Sequence, residues 1–256
     1  MSDYEVVRCP TGIEGLDELL EGGFPRGRVI LLAGDCGTGK SILSTQFLHN
    51  GALKYDEPGV LVSLEQSPRM LKQDMGFMGF DLEKMEEEGK LVIIDASLSG
   101  VSGKSEKSEF KLSPDQFSLD SILALIKEAS DKIGAKRAVV DSFSALDSIL
   151  ETKKVHVGTG LKEDVRLAIL GINYKLQEMG LTSLLISDIL DDGKLSKHGI
   201  EEFMVDGVIT LHYKAVGSDS GRHLMIKKMR STRHSENINM IEFERGRGIK
   251  VVSPGD

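Results

Sequence analysis

Residues 34–41 read GDCGTGKS, and the fold follows from this stretch. It satisfies G-x-x-x-x-G-K-[ST], a loop whose successive backbone N–H groups cradle nucleotide phosphates. Its flanks agree with that reading. Arg28 to Ala33 is a short apolar run with two β-branched residues, the pattern of a buried strand. Ile42, Leu43, Phe47, Leu48 and Leu53 keep helical spacing, so a helix starts near Lys40. The helix N-terminus adds unsatisfied N–H groups and the positive end of the macrodipole. The expected nucleotide contacts are Gly34, Asp35, Cys36, Gly37, Thr38, Gly39, Lys40, Ser41 and Ile42. Lys40 would reach the β- and γ-phosphates of ATP, and Ser41 would ligate Mg²⁺ through its hydroxyl.

The chain has 256 residues, of which 40% are hydrophobic. That is enough for one large α/β domain with a substantial core, and too little for two with linkers. One domain over residues 1–256 is expected. No apolar stretch approaches the length of a membrane span, and Met1 to Glu5 lacks the basic and apolar regions of a signal peptide. Cys9 and Cys36 do not make a secreted disulfide framework, and no Cys/His cluster has zinc spacing. A cytoplasmic protein is expected. The net charge of −8 repels a phosphate backbone over most of the surface, which counts against nucleic acid while leaving a local basic face open.

Along the chain, Ile13, Leu16, Leu19 and Leu20 have helical spacing and run into Gly22-Gly23, a helix stop. After the phosphate loop and its helix, Glu57-Pro58-Gly59 makes a turn into a second strand, Val60 to Leu64, ending at Glu65-Gln66. A helix over Pro68 to Met78 and an acidic segment, Glu83 to Glu88, lead to a third strand, Leu91 to Ile94. Ser97 to Ser118 reads as a long surface loop. A helix over Phe117 to Ile133, a strand over Arg137 to Asp141, a helix over Glu163 to Met179 and a strand around Leu184-Leu185-Ile186 follow. After about residue 200 the pattern changes to strands alone: Val208 to Tyr213, His223 to Arg230, Asn237 to Phe243 and Ile249 to Val252. Alternating β and α followed by hairpins predicts a parallel sheet extended on one side by antiparallel strands.

In an open parallel sheet the ligand lies beyond the carboxyl ends of the strands, which singles out Glu65, Asp141 and Asp188. Asp141 ends an apolar run and fits a Walker B aspartate holding the Mg²⁺ shell, against the alternative of a turn aspartate. Glu65 fits a general base that orients water beside the γ-phosphate; a helix cap or surface salt bridge is the other reading. Asp188 fits a phosphate sensor no better than a strand end. Lys228 and Arg230, two apart on a strand, would share one face. Two cations there suit an anionic phosphate, and equally a solvated edge strand protected by charge.

GDCGTGKS, KYDEPGVLVSLEQSP (54–68), RAVVDSFS (137–144), HGIEEFMVDGVITL (198–211) and KKMRSTRHS (227–235) occur in this order. Together they resemble the KaiC-like branch of the RecA-type ATPases, the clock-protein ATPase domain and its single-domain archaeal and bacterial relatives. The likeness spans about Pro10 to Pro254, and K-x-R-[GS]-x-x-H, met here by Lys228, Arg230 and His234, is specific to the branch. It implies an α/β, RecA-like P-loop NTPase: a mainly parallel twisted sheet flanked by helices, with C-terminal antiparallel hairpins. It implies hexameric rings with ATP at subunit interfaces, Lys228 and Arg230 acting on the neighbour's nucleotide, and a protein partner that senses the ring. Cations supplied this way typically accelerate hydrolysis about 10³–10⁵-fold.

The sequence also departs from the family. Where two adjacent glutamates are usual, Glu65-Gln66 stands, so water activation rests on Glu65 and slow hydrolysis is expected. Gly199-Ile200-Glu201-Glu202-Phe203 stands where the clock protein's second domain carries its phosphorylated Ser-Thr pair, which argues against autokinase activity. Cys36, near Lys40 and a helix N-terminus, is either a redox-sensitive thiol or a permissive loop position. Two other functions stay open: a recombinase-like DNA-binding module, and a nucleotide-gated switch with little hydrolysis. Against the first, Glu151 to Lys154 and Asp191 to Lys194, in the loops where DNA contacts belong, are mixed or acidic and lack aromatics.

Overall fold

The computed structural model describes residues 5–97, 110–112, 118–143, 161–189, 194–214 and 220–253. Two short strands, Arg8–Cys9 (β1) and Phe24–Pro25 (β2), pair with each other before the main sheet begins. Then strands and helices alternate: Val29–Gly34 (β3), Lys40–Lys54 (α1), Gly59–Ser63 (β4), Pro68–Phe77 (α2), Leu82–Glu87 (α3), Leu91–Asp95 (β5) and Leu119–Ile133 (α4). Arg137–Asp141 (β6), Leu161–Glu178 (α5), Thr182–Asp188 (β7) and the one-turn helix Glu201–Met204 (α6) follow. Gly207–Lys214 (β8), Gly221–Met229 (β9), Asn239–Glu244 (β10) and Gly248–Val252 (β11) close the chain.

β3 to β11 form one sheet in the order β11-β10-β9-β8-β3-β7-β6-β4-β5. The pairs from β5 across to β8 are parallel, and β8-β9-β10-β11 are antiparallel. This is the expected parallel sheet with hairpins added at one side. Side chains alternate across it: Ile30 and Leu32 join the core shared with α1, α2 and α3, while Val29, Leu31 and Ala33 join the core shared with α4 and α5. Both faces of the central strands are therefore buried, which is why they read as unbroken apolar runs.

The helices start where local chemistry permits. Ser67, Asp81 and Ser118 accept hydrogen bonds from the first-turn N–H groups of α2, α3 and α4. α1 has no such cap: it starts at Gly39, whose φ of 99° is left-handed and whose absent side chain leaves the first N–H groups exposed to a ligand.

Several expectations are corrected. Ile13, Leu16 and Leu20 are buried as their spacing suggested, yet they lie on turns and a single 3-10 turn at Glu18–Leu20. The Asp17 carboxylate takes the N–H groups of Thr11 and Gly12 and holds the chain in that turn. Gly15 packs so closely on Val251 that a Cβ would stand 1.9 Å from its carbonyl oxygen. The acidic segment 83–88 is largely helical, as α3. Within the stretch expected as a surface loop, Phe110 and Leu112 join the core, and the backbone at Lys111 forms an isolated parallel β-bridge with Asp95. Residues 98–109 and 113–117 of that stretch, including the expected helix start at Phe117, lie outside the described residues, as do 151–154 and 191–193.

One charged node is built into the interior. The fully buried Arg137 guanidinium donates to Glu57 Oε2 at 2.8 and 2.6 Å, to Phe47 O at 2.8 Å and to Pro10 O at 2.8 Å. It also lies 4.5 Å from the centre of the Phe47 ring. Arg26 donates to the other Glu57 oxygen at 2.5 Å. Burial pushes the Glu57 carboxyl up, but its bonds to Arg137 and Arg26 more than offset this and hold it below the usual range.

Candidate active site

Four adjacent strands deliver the site at their carboxyl ends. β3 runs into the glycine loop, and Gly34 pairs in register with Asp188 at the end of β7. β6 ends at Asp141, level with Ser63 of β4, and Glu65 follows two residues later. The loop closes on itself through Thr38 Oγ1, which donates to Asp35 O at 2.8 Å. Gly37 and Gly39 take left-handed φ values of 74° and 99°, and a Cβ on Gly39 would meet the Phe243 ring at 2.5 Å. Lys40 is buried; its ammonium donates to Gly34 O and Asp35 O at 2.9 Å each and lies 3.0 Å from Asp188 Oδ1.

Asp141 lies at the carboxyl end of β6, within hydrogen-bond reach of Ser41. Burial drives its carboxyl up to about 6; the Ser41 hydroxyl bonds to it and opposes the rise, Glu65 and Asp188 add to it, and Lys40 opposes it. Among the described residues, no group of three or more His, Cys, Asp or Glu could hold a metal ion alone. A hydroxyl already bonded to a carboxylate is instead the donor set that holds Mg²⁺ with phosphate oxygens and water completing the shell. The residues fit that ion.

Ser142, the residue after Asp141 and joined to it by a cis peptide bond, donates its hydroxyl to Glu65 Oε1. That bond turns the exposed Glu65 toward the Asp141 side of the site. Gln66 points elsewhere: its amide donates to Asp74 on α2 at 3.3 Å, while Ser63 holds its backbone carbonyl.

Lys228 and Arg230 do not reach this cluster. β9 runs antiparallel to β8, so Leu224 lies level with Leu211 and Gly34, whereas Met229 lies level with Gly207 and Ile30. At ~3.3 Å per residue this puts the two cations roughly 15 Å from Gly34, at the other end of the sheet. β9 ends at Met229, so Arg230, expected as the last residue of that strand, lies one residue beyond it. Lys228 Nζ donates to Glu202 O at 3.1 Å and Val205 O at 2.7 Å. Burial, then the neighbouring Arg230 charge, lowers its pKa. Arg230 lies 3.5 Å from Asp206, a buried carboxylate that also meets Arg28 at 3.3 Å and Gln177 at 2.7 Å.

Sequence reasoning missed the roof of the phosphate loop. Arg222 reaches from β9 to donate to Gly37 O at 3.0 Å, its guanidinium 4.5 Å from the Phe243 ring centre. His212 of β8 stands 3.6 Å from Asp35. The isolated cations and aromatics of the hairpins carried no local signal of this. Asp206 and Ser142 were equally silent, although both lie inside quoted motif stretches. Cys36, within the loop, is exposed. No helix among the described residues is long and apolar enough to cross a membrane.

The family profile described as "ATPase: KaiC" matches residues 9–256. A UPF0273 protein of Pyrococcus furiosus is 38% identical over 240 residues, covering 90% of this chain and 88% of its own. The circadian clock oscillator protein KaiC of Parasynechococcus marenigrum is 35% identical over 234 residues, 91% of this chain. The chain matches only 42% of the length of that clock protein. The crystal structure of a KaiC-like protein from the hyperthermophilic archaeon Pyrococcus horikoshii superposes with a TM-score of 0.80 at 38% identity, covering 97% of this chain and all of that one.

Proposed function

Because the chain belongs to the KaiC ATPase family of the RecA-type P-loop proteins, we propose that it is a Mg²⁺-dependent ATPase working as a hexameric ring of single-domain subunits, with ATP at each interface. The observation that carries this reading is the meeting of Lys40, Ser41, Glu65, Asp141 and Asp188 at the carboxyl ends of four adjacent strands. The backbone from Gly34 to Ile42 wraps the phosphates, and Lys40 transfers its ammonium from the loop carbonyls and Asp188 to the β- and γ-phosphates. Ser41 and Asp141 would hold Mg²⁺, which when bound would neutralise charge on the phosphate oxygens. Glu65, aimed by Ser142, orients water and takes its proton.

Lys228 and Arg230 complete the site of the neighbouring subunit. What supports this is their distance from the loop of their own chain and the family likeness of K-x-R-[GS]-x-x-H. Hydrolysis is slow, because Gln66 is turned to Asp74 and Glu65 works without a second carboxylate beside it. The segment Gly199 to Phe203 offers no Ser-Thr pair, so the ring hydrolyses ATP without phosphorylating itself there. Hydrolysis changes the ring's shape for a protein partner to read. Nucleic acid is disfavoured as that partner by the net charge of −8.

Phosphate release per subunit, followed across a wide range of protein concentration, tests the reading. Specific activity rises with concentration if neighbours complete the site. ATP bound with negligible release at every concentration would instead identify a nucleotide-gated switch.

A further inference from the structure

We infer that Glu201 is a positioning residue through which a subunit's own nucleotide site sets the cations it offers its neighbour; this rests on the ring reading above. One short segment joins the two ends of the sheet. At the phosphate-loop end, Ser187 Oγ accepts from Lys197 N at 3.4 Å, and Ser187 precedes Asp188, the partner of Lys40. At the other end, the carbonyls of Glu202 and Val205 occupy two of the three N–H groups of Lys228, leaving one for a phosphate.

Between these ends Glu201 makes the segment one piece. Its carboxylate is 1% exposed and accepts from Ser196 Oγ at 2.6 Å, His198 N at 3.1 Å and Ile200 N at 3.1 Å, with His198 Nδ1 at 2.9 Å. Burial pushes this carboxyl up, but the bonds from Ser196, the backbone and His198 more than offset it and keep it ionised. A buried charge with this many partners resists losing any of them, so residues 196–202 move together or not at all. Lys40 supplies the two-state element: its ammonium pairs either with Asp188 or with a phosphate. The change at Asp188 passes through Ser187 into this block and is read at Lys228.

The test uses mixed rings of the full chain. Lys228→Ala subunits keep a working phosphate loop but lack the cation, so they need a donor neighbour. Glu65→Gln donors bind ATP without hydrolysing it; Lys40→Ala donors bind it more weakly and are used at an ATP concentration that fills the first donor and leaves the second mostly empty. Both are used where the untagged Lys228→Ala subunit co-purifies with an affinity-tagged donor, which shows mixed rings. Glu65→Gln donors are expected to stimulate phosphate release at least tenfold more than Lys40→Ala donors. Adding Glu201→Gln to the first donor should shrink that advantage below twofold, while its own affinity for a fluorescent ATP analogue stays unchanged. Ser196→Ala removes the hydroxyl that bonds Glu201 and also meets Glu202, and should give an intermediate value; it carries the test if Glu201→Gln donors fail to assemble. Equal stimulation by both donors, or a full advantage kept in the Glu201 and Ser196 variants, overturns the inference and leaves the trans site standing. No stimulation by either donor overturns the ring reading itself.

Discussion

Lys40 and Asp188 face each other across 3.0 Å at the open end of the sheet, where parallel pairing sets Gly34 level with Asp188. The same ammonium is held by two carbonyls of its own loop. A charge-assisted contact of this kind is geometrically specific, and a phosphate competes for all three donors at once.

Lys40→Ala should therefore lose nucleotide rather than fold. A hydrogen bond to a charged group is worth about 1.5–3 kcal/mol, so the Kd for ATP should rise by about 10- to 150-fold. A fluorescent ATP analogue titrated into the variant measures this. An affinity within twofold of the parent would remove Lys40 from the phosphate site.

Asp141 makes stability depend on pH. Its carboxyl is raised from 3.8 to about 6 in the fold, so between those values the folded chain binds a proton the unfolded chain has released. Stability consequently falls as pH rises from about 4 to 6, and stays lowered above that. The shift corresponds to roughly 3 kcal/mol. Asp141→Asn should stabilise the protein by up to that amount at pH 7.5 in urea melts without Mg²⁺, with the gain fading toward pH 4. The same variant should hydrolyse no ATP. A gain independent of pH would contradict the assignment of the buried charge.

Lys228→Ala and Arg230→Ala should each lower kcat by about 10³-fold or more, as loss of a cation supplied in trans does. The Kd for ATP should stay within a few-fold, since the phosphate loop is untouched. Single-turnover phosphate release beside equilibrium binding separates the two quantities. A loss of affinity with unchanged kcat would return the pair to a structural role.

Glu57→Gln tests the node at the base of the sheet. Removing one partner of a buried ion pair typically costs about 3–5 kcal/mol, because Arg137 would remain buried with half its compensation gone. The carboxyl of Glu57 is held below its usual range, so the pair's contribution is present above about pH 4.5 and is lost as pH falls through the lowered folded value. Chemical denaturation at pH 7 and pH 3 should show a large difference between parent and variant at the first and a smaller one at the second.

Sequence reasoning reaches as far as chemistry stays local. The phosphate loop, its strand and its helix are contiguous, and Asp141 announces itself by ending an apolar run. The helical spacing of Ile13 to Leu20 located buried residues but not their conformation, since a single aspartate, Asp17, redirects the backbone. Arg137 read only as the first residue of a strand. Its partner Glu57 is 80 positions away, and nothing in either neighbourhood announces the pair. Arg222 met Gly37 across 185 positions in the same silence. The parts that stayed illegible are those made by contacts between distant segments.

The opposite placement of the phosphate loop and the Lys228–Arg230 pair gives each subunit a head and a tail. If the cations serve a neighbour's loop as proposed, subunits stacked in sequence have a sense of direction, and an open row of any length leaves one unserved loop at its head and one idle cation pair at its tail. Closing the row removes both loose ends together. Turnover per subunit should then climb with the length of an open row and step to its ceiling on closure, so enzymatic rate alone could tell an arc from a circle.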